Sequence, residues 1–368
     1  MLRATCCLLL LVAAAAAARF AFLADPAWFL RHVVVPACYL PPPKWTLPAL
    51  RSAAIAASLA LVLCARAAFR RATPGGVARV LAAVALSLVA SELVLRAVER
   101  PEVETSHPRL EWQLGARDPR TGWAFVPGRS VVVTTPGSGR RVRYDIDSHG
   151  DRAASVDFVE DPAAPTLLVA GESIATGHGL EWKDTFAARL GAMLGLQVVN
   201  VAEGGYGSDQ AFLRVQDALR RLRRPVALVE TVLPVQLHRN VADNRARLVL
   251  RAGALELAPP SASRLRLREL FVNQLPWLSD ARLAASMELT RRILRDTAQA
   301  ARSRGAKVLF VAPSFDPSRP AQPVLDAMLA GLPHLVVDLD PARLMPWDGH
   351  PDERGAAQMA DAIAAALR

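Results

Sequence analysis

Hydrophobic positions fall into two regimes along this chain. Up to about residue 100 they come in long runs: Ala4 to Ala24, broken only by Arg19; Ala49 to Ala65, with Arg51 at its edge; and Val77 to Val98, which holds Arg79, Glu92 and Arg96. Each run approaches the ~20 residues that cross a bilayer as a helix. From Pro165 onward the apolar runs shorten and alternate with amphipathic stretches. Strands are predicted at Thr166–Ala170, Gln197–Val201, Val226–Val232, Lys307–Ala312 and Leu335–Leu339. Helices are predicted at Lys183–Leu194, Ser208–Leu222, Leu283–Arg304, Val324–Ala330 and Glu353–Leu367. Strands that alternate with helices give an α/β fold, a parallel sheet covered on both faces.

Residues 101–164 between the regimes are polar and punctuated by Pro and Gly. Strand-like pieces at Ser130–Thr135 and Arg141–Ile146 flank Pro136-Gly137-Ser138-Gly139, which reads as a hairpin. Its neighbours Asp118–Trp123 and Ile146–Arg152 are read as a small sheet at the side of the main domain, with a functional role as the alternative. Leu237–Arg282 is too long for an ordinary connection and reads as an insertion near the active-site rim. The expected organisation is a membrane anchor over 1–100, a β-rich accessory segment over 101–164, and a catalytic domain over 165–368 with its insertion near 237–282.

Charge sharpens this picture. The net charge is +10, and residues 1–100 supply most of it, with eleven Lys/Arg against Asp25, Glu92 and Glu99. A basic excess around apolar runs reports membrane topology, not nucleic-acid binding, and no nucleic acid is expected as a partner. Arg66, Arg70, Arg71 and Arg79 crowd the connection between the second and third runs, and Arg3 precedes the first. Both places are therefore expected in the cytoplasm and everything after residue 100 outside it, at the inner membrane with the domain on the periplasmic side. Two alternatives stay open: the first run suits a cleaved signal peptide as well as a span, and Glu92 suits an amphipathic soluble helix unless it lies near a membrane boundary or is paired. Of four cysteines, Cys6, Cys7 and Cys64 lie in apolar runs and Cys38 in the first external loop, so no Cys-based metal site is available after residue 100.

The chemistry-bearing residues follow the strands. Gly171-Glu172-Ser173 comes directly after Leu167-Leu168-Val169-Ala170, and Asp348-Gly349-His350 arrives much later. A serine at a strand exit, with a histidine and an aspartate, is the raw material of nucleophilic catalysis. Such a strand-to-helix turn also sets backbone N–H groups beside a developing oxyanion. The Gly-x-Ser-x-Gly elbow is not matched, because Ala175 fills its last place. The second strand ends in Asn200-Val201-Ala202-Glu203-Gly204-Gly205-Tyr206-Gly207-Ser208, where glycine lets the backbone approach a ligand.

These residues resemble the SGNH (GDSL) hydrolases over about Pro165–Arg368. Gly171-Glu172-Ser173 looks like their first block with Glu for the common Asp, Gly205 falls at the glycine of the second, and Asp348-Gly349-His350-Pro351 looks like the last. The resemblance implies a three-layer, flavodoxin-like α/β/α sandwich that hydrolyses or transfers acyl groups. It also implies Ser173 as nucleophile, His350 as general base, Asp348 as its orienter, and the N–H groups of Ser173 and Gly205 as oxyanion donors. Two departures stand out. Asp-x-His is one residue shorter than the usual Asp-x-x-His, with Asp338 and Asp340 as fallback orienters. In the third block Val235 stands where an asparagine belongs, so Gln236 is the expected third oxyanion donor, with His238 and Asn240 behind it.

His32, His107, His149, His178 and His334 lack a metal-like spacing. Only His178, five residues after Ser173, is placed to line the pocket. Neither metal nor cofactor is expected. The expected activity is cleavage of a small acyl ester, of a cell-envelope glycan or a lipid-linked substrate, through an acyl-serine intermediate. The alternatives are acyl transfer to an envelope polysaccharide and a catalytically inactive binding protein of this fold. Expected partners are an acylated small molecule or glycan and the membrane.

Overall fold

The computed structural model describes residues 2–35, 43–71, 73–98, 114–135, 138–261, 265–274, 277–315 and 321–368. Cys38, His107 and the Pro136-Gly137 turn lie outside them. The chain divides into two compact units. One holds Met1–Val34, Pro41–Arg100 and Ser263–Pro276; the other holds Val35–Leu40, Pro101–Ala262 and Trp277–Arg368.

The first unit contains three helices, Leu2–Leu23, Thr46–Arg71 and Pro74–Val98, each long and apolar enough to cross a membrane. Many of their leucines are exposed, Leu59 and Leu86 among them, as lipid-facing residues are. The first two helices pack together, and two polar side chains of the second reach the backbone of the first. Arg51 Nε donates to the Ala21 carbonyl (2.6 Å) and Ser58 Oγ to the Ala14 carbonyl (2.9 Å). Arg66, Arg70 and Arg71 lie at the end of the second helix and Arg79 near the start of the third, so the arginine cluster flanks their short connection. Glu92 is also paired: Arg96 Nε (2.7 Å) and the backbone N–H groups of Arg266 and Leu267 (3.0 Å each) donate to its carboxylate.

The second unit is built on an eight-stranded sheet. Its strands are β3 (Ser130–Thr134), β4 (Arg141–Ile146), β5 (Arg152–Ala153), β6 (Thr166–Ala170), β7 (Gln197–Asn200), β8 (Pro225–Thr231), β11 (Lys307–Ser314) and β12 (His334–Asp338). Two hairpins stand apart, β1 (Gly115–Asp118) with β2 (Gly122–Phe125) and β9 (Arg247–Arg251) with β10 (Ala254–Ala258). The sheet order is β12-β11-β8-β6-β7-β5-β4-β3. Its first five strands are parallel and, in chain order, run 2-1-3-4-5, the flavodoxin-like arrangement.

The accessory segment divides: β1 and β2 form a small sheet of their own, and β3, β4 and β5 join the main one. Arg152 in β5 pairs antiparallel with Asn200 in β7, and β4 and β3 follow, so the segment extends the main sheet and covers an edge that would otherwise be open. Apolar residues alternate along the parallel strands and separate two cores. Leu167, Val169, Val229 and Val311 face helices Phe186–Leu194 and Glu353–Leu367. Leu168, Ala170, Leu228 and Phe310 face helices Ser208–Arg221, Asp280–Arg302 and Gln322–Leu329. The result is the three-layer α/β/α sandwich.

One carboxyl breaks the apolar pattern of β8. Glu230 is fully buried, and among the described residues neither of its oxygens meets a hydrogen-bond partner. Burial pushes its carboxyl up to about 8. The folded chain therefore holds this proton more tightly than the unfolded one. The resulting destabilisation grows as pH rises from the ordinary carboxylate range to about 8 and then levels off. Glu230→Gln should be more stable than the wild type at pH 9 by a few kcal/mol, on the order set by that shift, with the gap closing near pH 5. Urea midpoints at both pH values measure this; a pH-independent gap would refute it.

Candidate active site

The first turn of the site is forced by a close approach. Gly171 ends β6 at φ +126°, and a Cβ there would lie 2.1 Å from Thr231 Oγ1 at the end of β8, so only glycine fits. Glu172 follows as the N-cap of the short helix Ser173–Thr176. Its Oε2 accepts from the Ile174 N–H (3.1 Å) and from Ser173 Oγ (2.8 Å), and its Oε1 accepts from Thr231 Oγ1 (3.2 Å). Ser173 therefore sits at the C-terminal edge of the sheet where the strand order reverses, with β7 on one side of β6 and β8 on the other. Open α/β sheets bind ligands at this switch point.

The second element is a tight loop ahead of the last helix. Leu344 pairs with Pro351, the Met345 N–H donates to the His350 carbonyl (2.6 Å), and Gly349 takes φ +77°. The short Asp-x-His spacing closes well under these conditions. Asp348 Oδ1 accepts from the His350 N–H (3.0 Å), and Oδ2 is 2.9 Å from His350 Nδ1. His350 Nε2 lies 2.8 Å from Ser173 Oγ. The partner of Nδ1 is thus Asp348 and not Asp338 or Asp340; Asp340 caps the turn Pro341–Arg343 instead.

His178 joins this group through the turn that follows the serine. Its N–H donates to the Ser173 carbonyl (2.9 Å), and its Nε2 lies 3.1 Å from Asp348 Oδ2. Its ring, buried, lies 4.5 Å from that of His350, centroid to centroid. One carboxylate oxygen thus serves two imidazoles. Burial alone would raise the Asp348 carboxyl, but the hydrogen bonds from His178 and His350, with the charge on His350, hold it well below the usual carboxylate range.

Position 178 is fixed from outside the motif. Arg152 of β5 donates to the carbonyls of Thr176 (2.5 Å), Gly177 (2.6 Å) and Leu180, and its guanidinium stacks on the Tyr144 ring. Tyr144 Oη accepts from the Gly179 N–H (2.6 Å). The sequence clue to His178 was its distance from Ser173; its partner was not legible.

The turn after β7 is held as firmly. Trp123 Nε1 donates to the Gly204 carbonyl (3.2 Å), the Phe125 N–H to the Glu203 carboxylate (3.0 Å), and Arg239 to the Tyr206 carbonyl (3.1 Å). Gly205 has φ +77°, and its N–H, like that of Ser173, meets no acceptor among the described residues.

Gln236 departs from its expected place. A helix, Gln236–Asn240, starts directly after Val235, and it turns the Gln236 amide inward. Nε2 donates to the Thr231 carbonyl (3.3 Å) while Oε1 accepts from Ser208 Oγ (2.9 Å), so this buried side chain ties the end of β8 to the start of the preceding helix, Ser208–Arg221. Asn240 is similarly engaged, with Thr290 Oγ1 at 2.8 Å, and His238 lies in the same helical turn.

A cleft of about 1080 Å³ opens beside Asp348, lined by Thr135, Arg140, Gly179, Trp347 and Arg354 among others. It reaches the site from the Asp348 side, and Ser173 is not in its wall. The ligand atoms of His178, Asp348 and His350 lie within 4.8 Å of one another, a spacing that would suit a metal ion. The two imidazole contacts to one carboxylate account for that spacing without one.

No protein-family model and no curated protein matches this chain. Among solved structures it is similar to TesA, at 20% identity over 55% of this chain and 98% of that one, with a TM-score of 0.35. It is similar to a member of the lipolytic protein G-D-S-L family from Veillonella parvula DSM 2008 at 12% identity, covering 54% and 95%, with a TM-score of 0.32. A family two carbohydrate esterase from Cellvibrio japonicus is similar at 13% identity, covering 55% and 60%, with a TM-score of 0.35.

Proposed function

We propose that the chain is a membrane-anchored serine esterase of the SGNH kind. The observation that carries this reading is the hydrogen-bonded series Asp348–His350–Ser173, with steps of 2.9 and 2.8 Å, at the switch point of the sheet. Ser173 Oγ turns its one proton from the Glu172 carboxylate to His350 Nε2, 2.8 Å away, and attacks the ester carbonyl as the imidazole takes it. Asp348 keeps the other proton on Nδ1 and stabilises the imidazolium. The tetrahedral oxyanion is received by the N–H groups of Ser173 and Gly205. His350 then protonates the leaving alcohol, and water hydrolyses the acyl-Ser173 ester by the same route. A sugar hydroxyl in place of that water makes the same machinery an acyltransferase.

A binding protein that had lost catalysis would have no need for this alignment, which favours the enzyme over that alternative. With Gln236 turned inward, the hole rests on backbone donors. The arginine cluster between the second and third helices supports a catalytic unit outside the cytoplasm, and anchoring there supports acylated envelope glycans or lipid-linked intermediates as substrates. The packing of Leu2–Leu23 on Thr46–Arg71 supports a retained first span. A fluorophosphonate probe should label the detergent-solubilised full chain at Ser173, and p-nitrophenyl acetate should compete. Mass spectrometry that finds Ser173 unmodified would overturn the reading. Acetylated oligosaccharide formed on adding a glycan acceptor separates transfer from hydrolysis.

A further inference from the structure

We infer that Leu265–Asn273, inside the long insertion, is an interfacial membrane element, lying at the lipid headgroup boundary with Leu265, Leu270 and Phe271 in the acyl chains. The pattern of burial carries the argument. In a water-facing segment the charged residues are exposed and the apolar ones covered; here the order is inverted. Leu265 is 58% and Phe271 64% exposed, Leu270 is exposed, while Arg266, Arg268 and Glu269 are half-buried and Asn273 is buried.

The segment belongs to the same compact unit as the three apolar helices, although the chain on both sides of it belongs to the other unit. Its helical turn Arg266–Glu269 packs on the third helix, where the Glu92 carboxylate accepts the N–H groups of Arg266 and Leu267 at 3.0 Å each. Glu92 lies six residues before the end of that helix, about 9 Å along its axis, the depth at which a carboxylate meets headgroups. Exposed apolar side chains continuous with a membrane-spanning helix, beside two arginines, have the chemistry of a lipid interface. The anchor would then hold the catalytic chain at two points of its sequence.

This inference rests on reading the three helices as spans, and the test separates the two. With Cys6, Cys7, Cys38 and Cys64 replaced by serine, the single-cysteine variants Phe271→Cys, Leu86→Cys and Val159→Cys are labelled with an environment-sensitive nitrobenzoxadiazole dye. The full chain is placed in phospholipid nanodiscs with and without doxyl-labelled lipid. Leu86 reports the third helix, and Val159, exposed on the other unit, reports water. The expected result is strong lipid quenching at 271 and 86 and little at 159, with at least half of the quenching at 271 lost in Glu92→Ala. Quenching at 86 without quenching at 271 overturns this inference and leaves the anchor intact. No quenching at 86 overturns the anchor reading. Disulfide-linked dimers of the unlabelled Phe271→Cys variant, with no lipid quenching, would replace the bilayer by a second copy of the chain and overturn the inference too.

Discussion

Ser173→Ala is expected to lower kcat/KM for an ester substrate by about four to six orders of magnitude, with KM and the unfolding midpoint close to wild type. The hydroxyl is the atom that forms the acyl bond, and His350 has nothing to deprotonate without it. What survives is the contribution of the backbone donors and of binding. The side chain is small and its removal leaves Glu172 hydrogen-bonded to the Ile174 N–H and to Thr231, so the turn keeps its cap. Steady-state kinetics beside circular dichroism decides the matter. If more than about a tenth of the rate remains, Ser173 is not the nucleophile.

The second large effect belongs to Asp348→Asn, expected to cost about three to four orders of magnitude in kcat. An asparagine can still accept from the His350 N–H, but it places an amide N–H₂ opposite Nδ1. That forces the proton onto Nε2, where it points at Ser173 and cannot accept from it. His178→Ala leaves the tautomer intact and removes one of the two imidazoles that meet the same carboxylate. A hydrogen bond to a charged group carries about 1.5–3 kcal/mol, so this variant should lose only about ten- to a hundredfold. Equal losses in the two variants would mean that His178 does more than position Asp348. A loss below about threefold in Asp348→Asn would remove it from the mechanism.

The parts of this molecule that were legible in its sequence are those fixed by neighbours along the chain. The parallel strands and their helices follow from local apolar spacing, and Glu353–Leu367 was placed to the residue. Ser173, Asp348 and His350 were legible because each sits in a short motif beside a strand or helix. What the motif left open was whether a single residue suffices between Asp348 and His350, and Gly349 at positive φ answers that by folding the loop onto itself. Long-range pairing was hidden. A two-residue strand such as β5 has no alternation to read, so its bond to β7, and the clamp of Arg152 on the His178 turn, were not foreseeable. Gln236 was misplaced because its amide is taken up by the Thr231 carbonyl and the Ser208 hydroxyl, the second of them 28 residues away in the chain. The return of Leu265–Asn273 to the anchor's unit left no periodic signal, since its apolar residues are too few.

Asp348 and His350 share one loop, whereas the serine they serve was laid down 177 residues earlier. A chain synthesised from its N-terminus carries Ser173 without this partner until the later loop has been made. Asp348 and His350 pair within their own loop, whereas the contact of His350 Nε2 with Ser173 Oγ needs the folded sheet that brings the two motifs together. The Asp348–His350–Ser173 series is therefore a property of the folded unit and of neither motif alone.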